Sequence, residues 1–411
     1  MFDKFAIELK EALKSLQSNI QLEPYDRRWE NEVKNIQANR TPNPEMIADF
    51  ERIFNNWTEE IEKALRESDN ISQNEKEPGP KAELDIWRIK MRKLTCISEQ
   101  LRSKNCRTVY DVLTQASQNP AEQLGKPRDK IYLATSKWRS IELKVTEQLN
   151  EAKDNVKYLA TLEKFIEPLY EGTPETIKDT LPALMNSIKM IHTIARYYNT
   201  NDSMTGLFIK ITNQMISNCK YNILNYKKMR ELNQPNAPIR KVITDDNIMW
   251  NHEEFPPEEL IPILKSCLDL NFAYQKQYEI TKERLMNMPK GKQFEFSPNQ
   301  IFGKFDLFCR RITKLIELFG TIQQFKTLGK HNLEGIDPII KMFDKHVGEF
   351  KKKSHRLLEY HLNTFDRDFV EFNVAVSSVE TELQQYIDKN FEVITSIEDS
   401  LKLLRKFQSI L

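Results

Sequence analysis

Three times in this chain a capping side chain stands directly before a proline and an apolar stripe: Asn43-Pro44, Thr173-Pro174 and Ser297-Pro298. An Asn, Thr or Ser oxygen can accept a free amide of a first helical turn. Proline is tolerated at the first helical position because its missing N–H would have no partner there. The apolar residues that follow recur three and four apart. They are Ile47, Phe50, Phe54, Trp57, Ile61 and Leu65, then Ile177, Leu181, Leu184, Ile188 and Ile191, then Ile301, Phe305, Phe308, Ile312, Ile316 and Phe319. Such spacing lines one face of a helix. Pro182 interrupts the second run near its start.

The rest of the chain reads the same way. Leu84, Trp87, Met91, Leu94, Ile97 and Leu101 mark a helix over residues 81–103, about 35 Å long at helical rise. A shorter segment carries Val109, Val112 and Leu113, and loops follow at Asn119-Pro120 and Lys126-Pro127. From 130 towards 165, Val145, Leu149, Ala152, Val156 and Leu159 form a heptad-like seam for packing along another helix. Further stripes run through Leu207, Ile211, Met215, Ile216 and Tyr221, through residues 260–286, and from Ile339, Phe343, Val347 and Phe350 on through Leu357, Leu362 and Phe365. The last joins Leu383, Tyr386, Ile387, Phe391 and Leu401. Only 10 of 411 residues are glycine while 29% are charged, which favours helices with solvated faces over tightly turned sheets. No clean alternation of period two and no repeat of fixed length is present. The expected fold is all-α, an elongated series of irregular antiparallel helical bundles.

Polar and proline-rich breaks suggest the domain limits. Residues 1–68 read as an N-terminal helical region, 69–80 as a polar linker closing in Pro78-Gly79-Pro80, and 81–232 as a helical bundle. A proline-rich connection at 233–258 then leads to further bundles over 259–411. The linker has too few apolar groups to offset its own ordering entropy.

Charge and cysteine usage narrow the partners. Lys and Arg number 61 against 60 Asp and Glu, so no net field attracts nucleic acid or an acidic membrane. Cys96, Cys106, Cys219, Cys267 and Cys309 are odd in number and unpaired in spacing, as in a reducing, cytoplasmic compartment. No 18-residue apolar run occurs, and Met1-Phe2-Asp3-Lys4-Phe5-Ala6-Ile7-Glu8 is charged where a secretory signal is apolar. A soluble chain that is not exported is expected, with protein partners, no nucleic acid and no membrane insertion.

Chemistry finds little support. Gly329-Lys330-His331 lacks the upstream glycine and the hydroxyl of a phosphate-cradling loop. His355, Glu359 and His361 are the sharpest metal candidate, but their histidines are six apart where a zinc helix needs four. They read as surface positions on a solvated helix. His252-Glu253-Glu254 beside Trp250 reads as a solvated loop, and Lys351-Lys352-Lys353 as a solvated helix face. The five cysteines read as small buried or half-buried apolar residues, and Trp57, Trp87 and Trp138 as core. Trp87 is expected to lie on a helix packed against the one bearing Trp57 or Trp138. No catalytic, cofactor or metal residue is assigned.

Trp57 with Glu60-Ile61-Glu62, the Pro78-Gly79-Pro80 linker, Glu83-Leu84-Asp85-Ile86-Trp87-Arg88 and Gln100-Leu101 resemble the opening block of the dynein heavy chain tail. In the same family order come Glu151-Ala152-Lys153-Asp154-Asn155-Val156-Lys157-Tyr158-Leu159, Leu181-Pro182-Ala183-Leu184-Met185, Tyr197-Tyr198-Asn199-Thr200 and Lys210-Ile211-Thr212-Asn213-Gln214-Met215-Ile216. The likeness runs over residues 45 to 411 and is closer to axonemal, outer-arm-like chains than to cytoplasmic dynein. Its signature residues are Trp57, Pro78, Gly79, Pro80, Trp87, Leu101, Glu151, Asp154, Asn155, Tyr197 and Tyr198.

The resemblance implies a non-catalytic tail segment and a set of partners: other dynein heavy chains, intermediate and light chains, and docking or assembly factors. It implies a place in the cytoskeleton of the ciliary or flagellar axoneme, anchoring a microtubule motor whose ATPase ring is not in this chain. The alternative from another class is a helical tether or adaptor of the vesicle-tethering type, unrelated to dynein.

Overall fold

The computed structural model describes residues 20–36, 43–70, 79–118, 128–225, 257–287, 294–330 and 335–392, with isolated positions 396, 398 and 401. Among the described residues there is no strand. The expected linker core 71–78, most of the 233–258 connection, His252-Glu253-Glu254, Trp250, and the loops at 119–127 and 288–293 lie outside them.

A single 3-10 turn, Arg27–Trp29, leads into α1 (Glu30–Ile36). Then come α2 (Pro44–Asn70), α3 (Pro80–Leu101), α4 (Lys104–Gln118) and α5 (Arg128–Leu159). A 3-10 stretch, Ala160–Phe165, joins α5 to the short α6 (Ile166–Glu171). After it follow α7 (Pro174–Ile194), the turn Tyr197–Asn199 and α8 (Asn201–Leu224). The chain continues with α9 (Pro257–Met286), α10 (Pro298–Lys330), α11 (Asp337–Lys352) and α12 (Asn363–Glu392).

The cap-plus-proline starts hold. Pro44, Pro174 and Pro298 each open a helix. Asn43 Oδ1 accepts the Glu45 amide at 2.9 Å and Thr173 Oγ1 the Thr176 amide at 3.3 Å, while at Pro298 the Ser297 carbonyl accepts the Ile301 amide at 3.2 Å. Pro182 is inside α7 on its exposed side, where it costs the helix one ladder bond away from the packed face. The helix expected to run to 165 tightens at Ala160, where the Thr161 hydroxyl donates to the Tyr158 carbonyl at 2.7 Å and competes with the main-chain ladder.

Two compact units are present. The first comprises residues 1–163 with 190–204, the second residues 164–189 with 205–411. Residues 81–232 therefore contribute to both, and the chain passes between them in the Ala160–Phe165 stretch, inside α7 and inside α8.

In the first unit α3 and α5 make the most extensive helix pair, and α2 packs on α4 and α5. The heptad-like seam is buried at Val145, Leu149, Ala152 and Leu159 and half-buried at Val156. In the second unit α9 and α10 run antiparallel, since Asn271 reaches Asp306 while Tyr278 meets Phe302. A cluster of Phe208, Tyr278, Phe294, Phe296 and Phe302 fills that end of the unit, with ring centroids 5.1 to 5.9 Å apart in the close pairs. Phe325 stacks on Phe343 at 3.9 Å, holding α11 to α10. Phe343–Phe372 and Phe350–Phe365 pair α11 and α12 antiparallel.

The α6–α7 turn is fastened to α8 through one glycine. The Gly172 carbonyl accepts Asn218 Nδ2 at 2.9 Å and Asn222 Nδ2 at 3.1 Å, and a Cβ at Gly172 would come within 2.6 Å of the Pro168 carbonyl oxygen.

Candidate functional site

Trp57 is fully buried on α2. Its ring lies 6.1 Å from Trp138 of α5, with Phe54 4.5 Å from the same indole, and its Nε1 donates to the Glu23 carbonyl at 3.0 Å. Trp29 is also buried and donates to Asp49 at 3.1 Å, with the Arg28 guanidinium 4.6 Å over its ring. Burial of indoles with their N–H groups satisfied favours a core role over an exposed anchor. Leu101 is buried at the end of α3.

Among the described residues Trp87 meets no other tryptophan ring. Its helix α3 packs on α5, which bears Trp138, as expected, but the indole itself abuts the turn at 197–199. The Tyr197 ring stands edge-on to it at 4.9 Å, and Nε1 donates to the Tyr198 hydroxyl at 2.9 Å. That hydroxyl donates onward to Glu83 Oε1 at 2.5 Å, and His192 Nδ1 lies 2.9 Å from the Tyr198 carbonyl. Burial, reinforced by the neighbouring Glu83, pushes the Tyr198 phenol well above its ordinary pKa, so it remains a donor at physiological pH. Burial also raises Tyr197, against a hydrogen bond with Ser203. The helix positions Glu83 and Trp87 one turn apart on α3, and the short 3-10 turn delivers both tyrosines to them. Trp87 and Tyr198, two signature residues 111 positions apart, thus form one buried hydrogen-bonded junction with Glu83, and Tyr197 stands exposed at its edge.

The remaining signature residues have simpler places. Gly79 is the extended N-cap of α3 and makes no side-chain cap, Pro80 is the buried first residue, and Pro78 lies outside the described residues. Glu151 and Asp154 are half-buried on α5. Asn155 is completely buried, and neither atom of its carboxamide has a hydrogen-bond partner, nor has Gln148 Oε1 seven residues earlier on the same face.

The metal candidate is corrected. Helix α11 ends at Lys352, and residues 353–362 form a connecting loop, so His355, Glu359 and His361 do not share a solvated helix. The apolar stripe drawn across Leu357 and Leu362 breaks there too, with Leu362 exposed. His355 is buried against the Phe350 and Phe365 rings, and its Nε2 approaches Asp368 Oδ2 to 3.2 Å without hydrogen-bond alignment. Glu359 pairs with Lys220 at 2.9 Å, and His361 is exposed beside Tyr360. Among the described residues no group of His, Cys, Asp and Glu can hold a metal ion, and no helix is long and apolar enough to cross a membrane.

The three lysines differ from one another. Lys353 lies past the helix end and is paired with Asp368 at 3.1 Å and Glu371 at 2.9 Å, Lys351 is half-buried with a pKa lowered by burial and by Lys326, and Lys352 is exposed. All five cysteines are free, with Cys106, Cys219 and Cys267 buried and Cys96 and Cys309 half-buried.

Arg311, on the buried face of α10 and 2% exposed, was not legible in the sequence as anything but a gap in a stripe. Its Nη1 donates to the carbonyls of Glu359 at 3.1 Å and Leu357 at 3.4 Å, and its Nη2 to the Leu362 carbonyl at 2.8 Å and to Asp366 at 3.0 Å. The Phe365 ring lies 4.5 Å beneath the guanidinium. One cation from α10 therefore gathers the whole 357–362 loop.

Residues 47–411 match the family described as dynein heavy chain, N-terminal region 1. The dynein gamma chain of the flagellar outer arm of Chlamydomonas reinhardtii is 35% identical over 413 residues, covering 99% of this chain and 8% of that protein. Dynein axonemal heavy chain 5 of Rattus norvegicus is 33% identical over 368 residues, covering 90% and 10%. Dynein axonemal heavy chain 8 of Homo sapiens is 31% identical over 370 residues, covering 90% and 7%. The chain thus spans a tenth or less of the length of the curated relatives it matches.

Proposed function

Because this chain belongs to the dynein heavy chain family, within its N-terminal region, we propose that it is a tail segment that performs no chemistry of its own. It serves as a helical scaffold on which heavy chains associate and intermediate and light chains bind, and through which a microtubule motor that drives ciliary beating is anchored in the axoneme. The observation that carries this is the match over residues 47–411 together with relatives named for the flagellar outer arm and the axoneme. It displaces the helical tether unrelated to dynein.

The signature residues support a scaffold role by their placement. Trp57, Trp87 and Tyr198 lock helices together and offer no exposed reactive group. The polar linker at 69–80 and the proline-rich connection at 233–258 remain proposals, each joining helices of a single unit.

Two experiments test the function. Co-expression with outer-arm intermediate and light chains is expected to yield a complex that survives size exclusion, and separate elution of every component would overturn the partner assignment. Sequencing the transcript beyond Leu411 is expected to reveal the nucleotide-binding loops of a motor ring, and a stop codon at that point would remove the anchoring role. The purified chain is expected to hydrolyse no ATP.

A further inference from the structure

Residues 20–26 run outside any helix, with Asp26 in extended backbone geometry, and are held in the first unit by side chains that read their main chain. Gln100 of α3 accepts the Leu22 amide on Oε1 at 2.8 Å and donates from Nε2 to the Ile20 carbonyl at 2.6 Å. Asn105 of α4 accepts the Tyr25 amide at 3.2 Å, and Trp57 of α2 donates to the Glu23 carbonyl at 3.0 Å.

An extended segment without a neighbouring strand leaves its amides and carbonyls unpaired. Here a carboxamide, with one acceptor and two donors, supplies them. The carbonyl of one residue and the amide two residues on are the pair that a parallel strand would engage, so Gln100 stands in for one residue of such a strand. The side chains follow the same logic. Ile20, Leu22 and Tyr25 are half-buried while Gln21, Glu23 and Pro24 are exposed, and the Tyr25 ring packs 5.3 Å from Phe50. Pro24, which has no amide to offer, falls where none is read.

We propose that the furrow lined by Trp57, Gln100 and Asn105 is a binding site for an extended peptide, filled here in cis by residues 20–25. Its ligand class is a segment apolar at its first and third positions, with proline at the fifth and an aromatic ring at the sixth. A partner protein bearing such a segment takes the place of residues 20–25. Main-chain contacts supply the affinity, and the Phe50 neighbourhood supplies the selectivity for the ring. In the natural chain the tethered segment outcompetes free peptide through its high effective concentration.

The test uses the full chain carrying Leu22→Asp and Tyr25→Asp, which removes the apolar side chains of the cis occupant. A fluorescent peptide of residues 19–29 is then titrated in. Saturable binding to this variant is expected, with binding to the natural chain weaker by at least about tenfold because the tethered segment competes, and binding at least about tenfold weaker once Gln100→Ala is added. A peptide carrying the same two aspartates is expected not to bind. The proposal is overturned if the folded double variant ignores the natural peptide, or if the Gln100→Ala chain binds it equally well.

Hydrogen exchange on the otherwise natural chain decides the matter independently should the double variant not fold. Gln100→Ala is expected to speed exchange at Leu22 by at least about tenfold while α5 stays protected. Unchanged exchange at Leu22, or loss of protection throughout the unit, would sink the proposal.

Discussion

Trp87 Nε1 stands 2.9 Å from the hydroxyl of Tyr198, a residue 111 positions later in the chain, and both are buried. The same hydroxyl serves Glu83, so the indole, the phenol and the carboxylate share one polar chain inside an apolar core. Trp87→Ala is expected to cost roughly 3–5 kcal/mol through the cavity it leaves. Tyr198→Phe is expected to cost about 1–3 kcal/mol because Glu83 and Trp87 lose a buried partner. Urea unfolding of the two single variants and the double variant measures their coupling, and strict additivity would show that the three groups do not act together.

Arg311 supports a loop that no other described cation reaches in this way. Arg311→Met is expected to destabilise the second unit by about 3–5 kcal/mol, since Asp366 and three carbonyls lose a buried counterpart. Arg311→Lys is expected to recover less than half of that loss, a single ammonium being unable to reproduce the planar fork. Hydrogen exchange at Glu359, Tyr360 and Leu362, whose amides close the turns of this loop, reports the release. Protection equal to that of the natural chain in both variants would contradict the assignment.

Acid is expected to weaken the α11–α12 hairpin in two steps. Burial lowers the pKa of His355 below its ordinary 6.5, with Lys353, Arg311 and Arg367 acting in the same direction and Asp368 opposing them. The unfolded chain therefore takes up this proton first. The contribution of His355 is whole above about pH 6.5 and is lost as the pH falls through its lower folded value. Burial works against the carboxylates of Asp366 and Asp368, but hydrogen bonds from Lys314 and Arg311 to the first, and from Lys353 to the second, outweigh it and hold both below 3.8. Their contribution is present above that value and disappears on further acidification. Denaturation midpoints measured from neutral to acid pH, with His355→Phe as control, should show the upper step vanish in the variant. A variant that keeps it would assign the step elsewhere.

Thiol reactivity should follow environment. Burial pushes the Cys106 thiol up. Burial, together with the adjacent Asp306, takes Cys309 up to about 12, and a hydrogen bond with Cys267, reinforced by burial, carries Cys219 well above its usual range. Cys96 is half-buried, and its sulfur lies 3.3 Å from Gln100 Nε2. Alkylation of the native chain followed by mass spectrometry should label Cys96 first and the other four only on unfolding. Early labelling of Cys219 or Cys267 would show the second unit to be open.

What the sequence disclosed was local. Asn43-Pro44 and Thr173-Pro174 announce helix starts because cap and proline act within one turn, and the stripe through Phe50, Phe54 and Trp57 announces the buried face by its period alone. The partner of Trp87 was hidden because it sits on a three-residue turn after α7, and nothing in the spacing ties that turn to α3. Arg311 was hidden for a different reason: a charge within an apolar stripe looks like an interruption until the carbonyls that neutralise it are brought over it. His355 misled because helix formers continue through 353–362 while the chain turns, with Ser354 at φ 48°. The division into units was equally silent, since its limits fall in the Ala160–Phe165 stretch and inside α7 and α8, where no polar or proline-rich break marks them.

Gly172 carries a consequence for inheritance. Any side chain there meets the Pro168 carbonyl oxygen at 2.6 Å, so the turn must shift, and with it the Gly172 carbonyl that Asn218 and Asn222 both hold. A missense change at this half-exposed turn would therefore act like a core lesion. Among variants in this region, harm would follow the geometry of one carbonyl and would not be ranked correctly by depth beneath the surface.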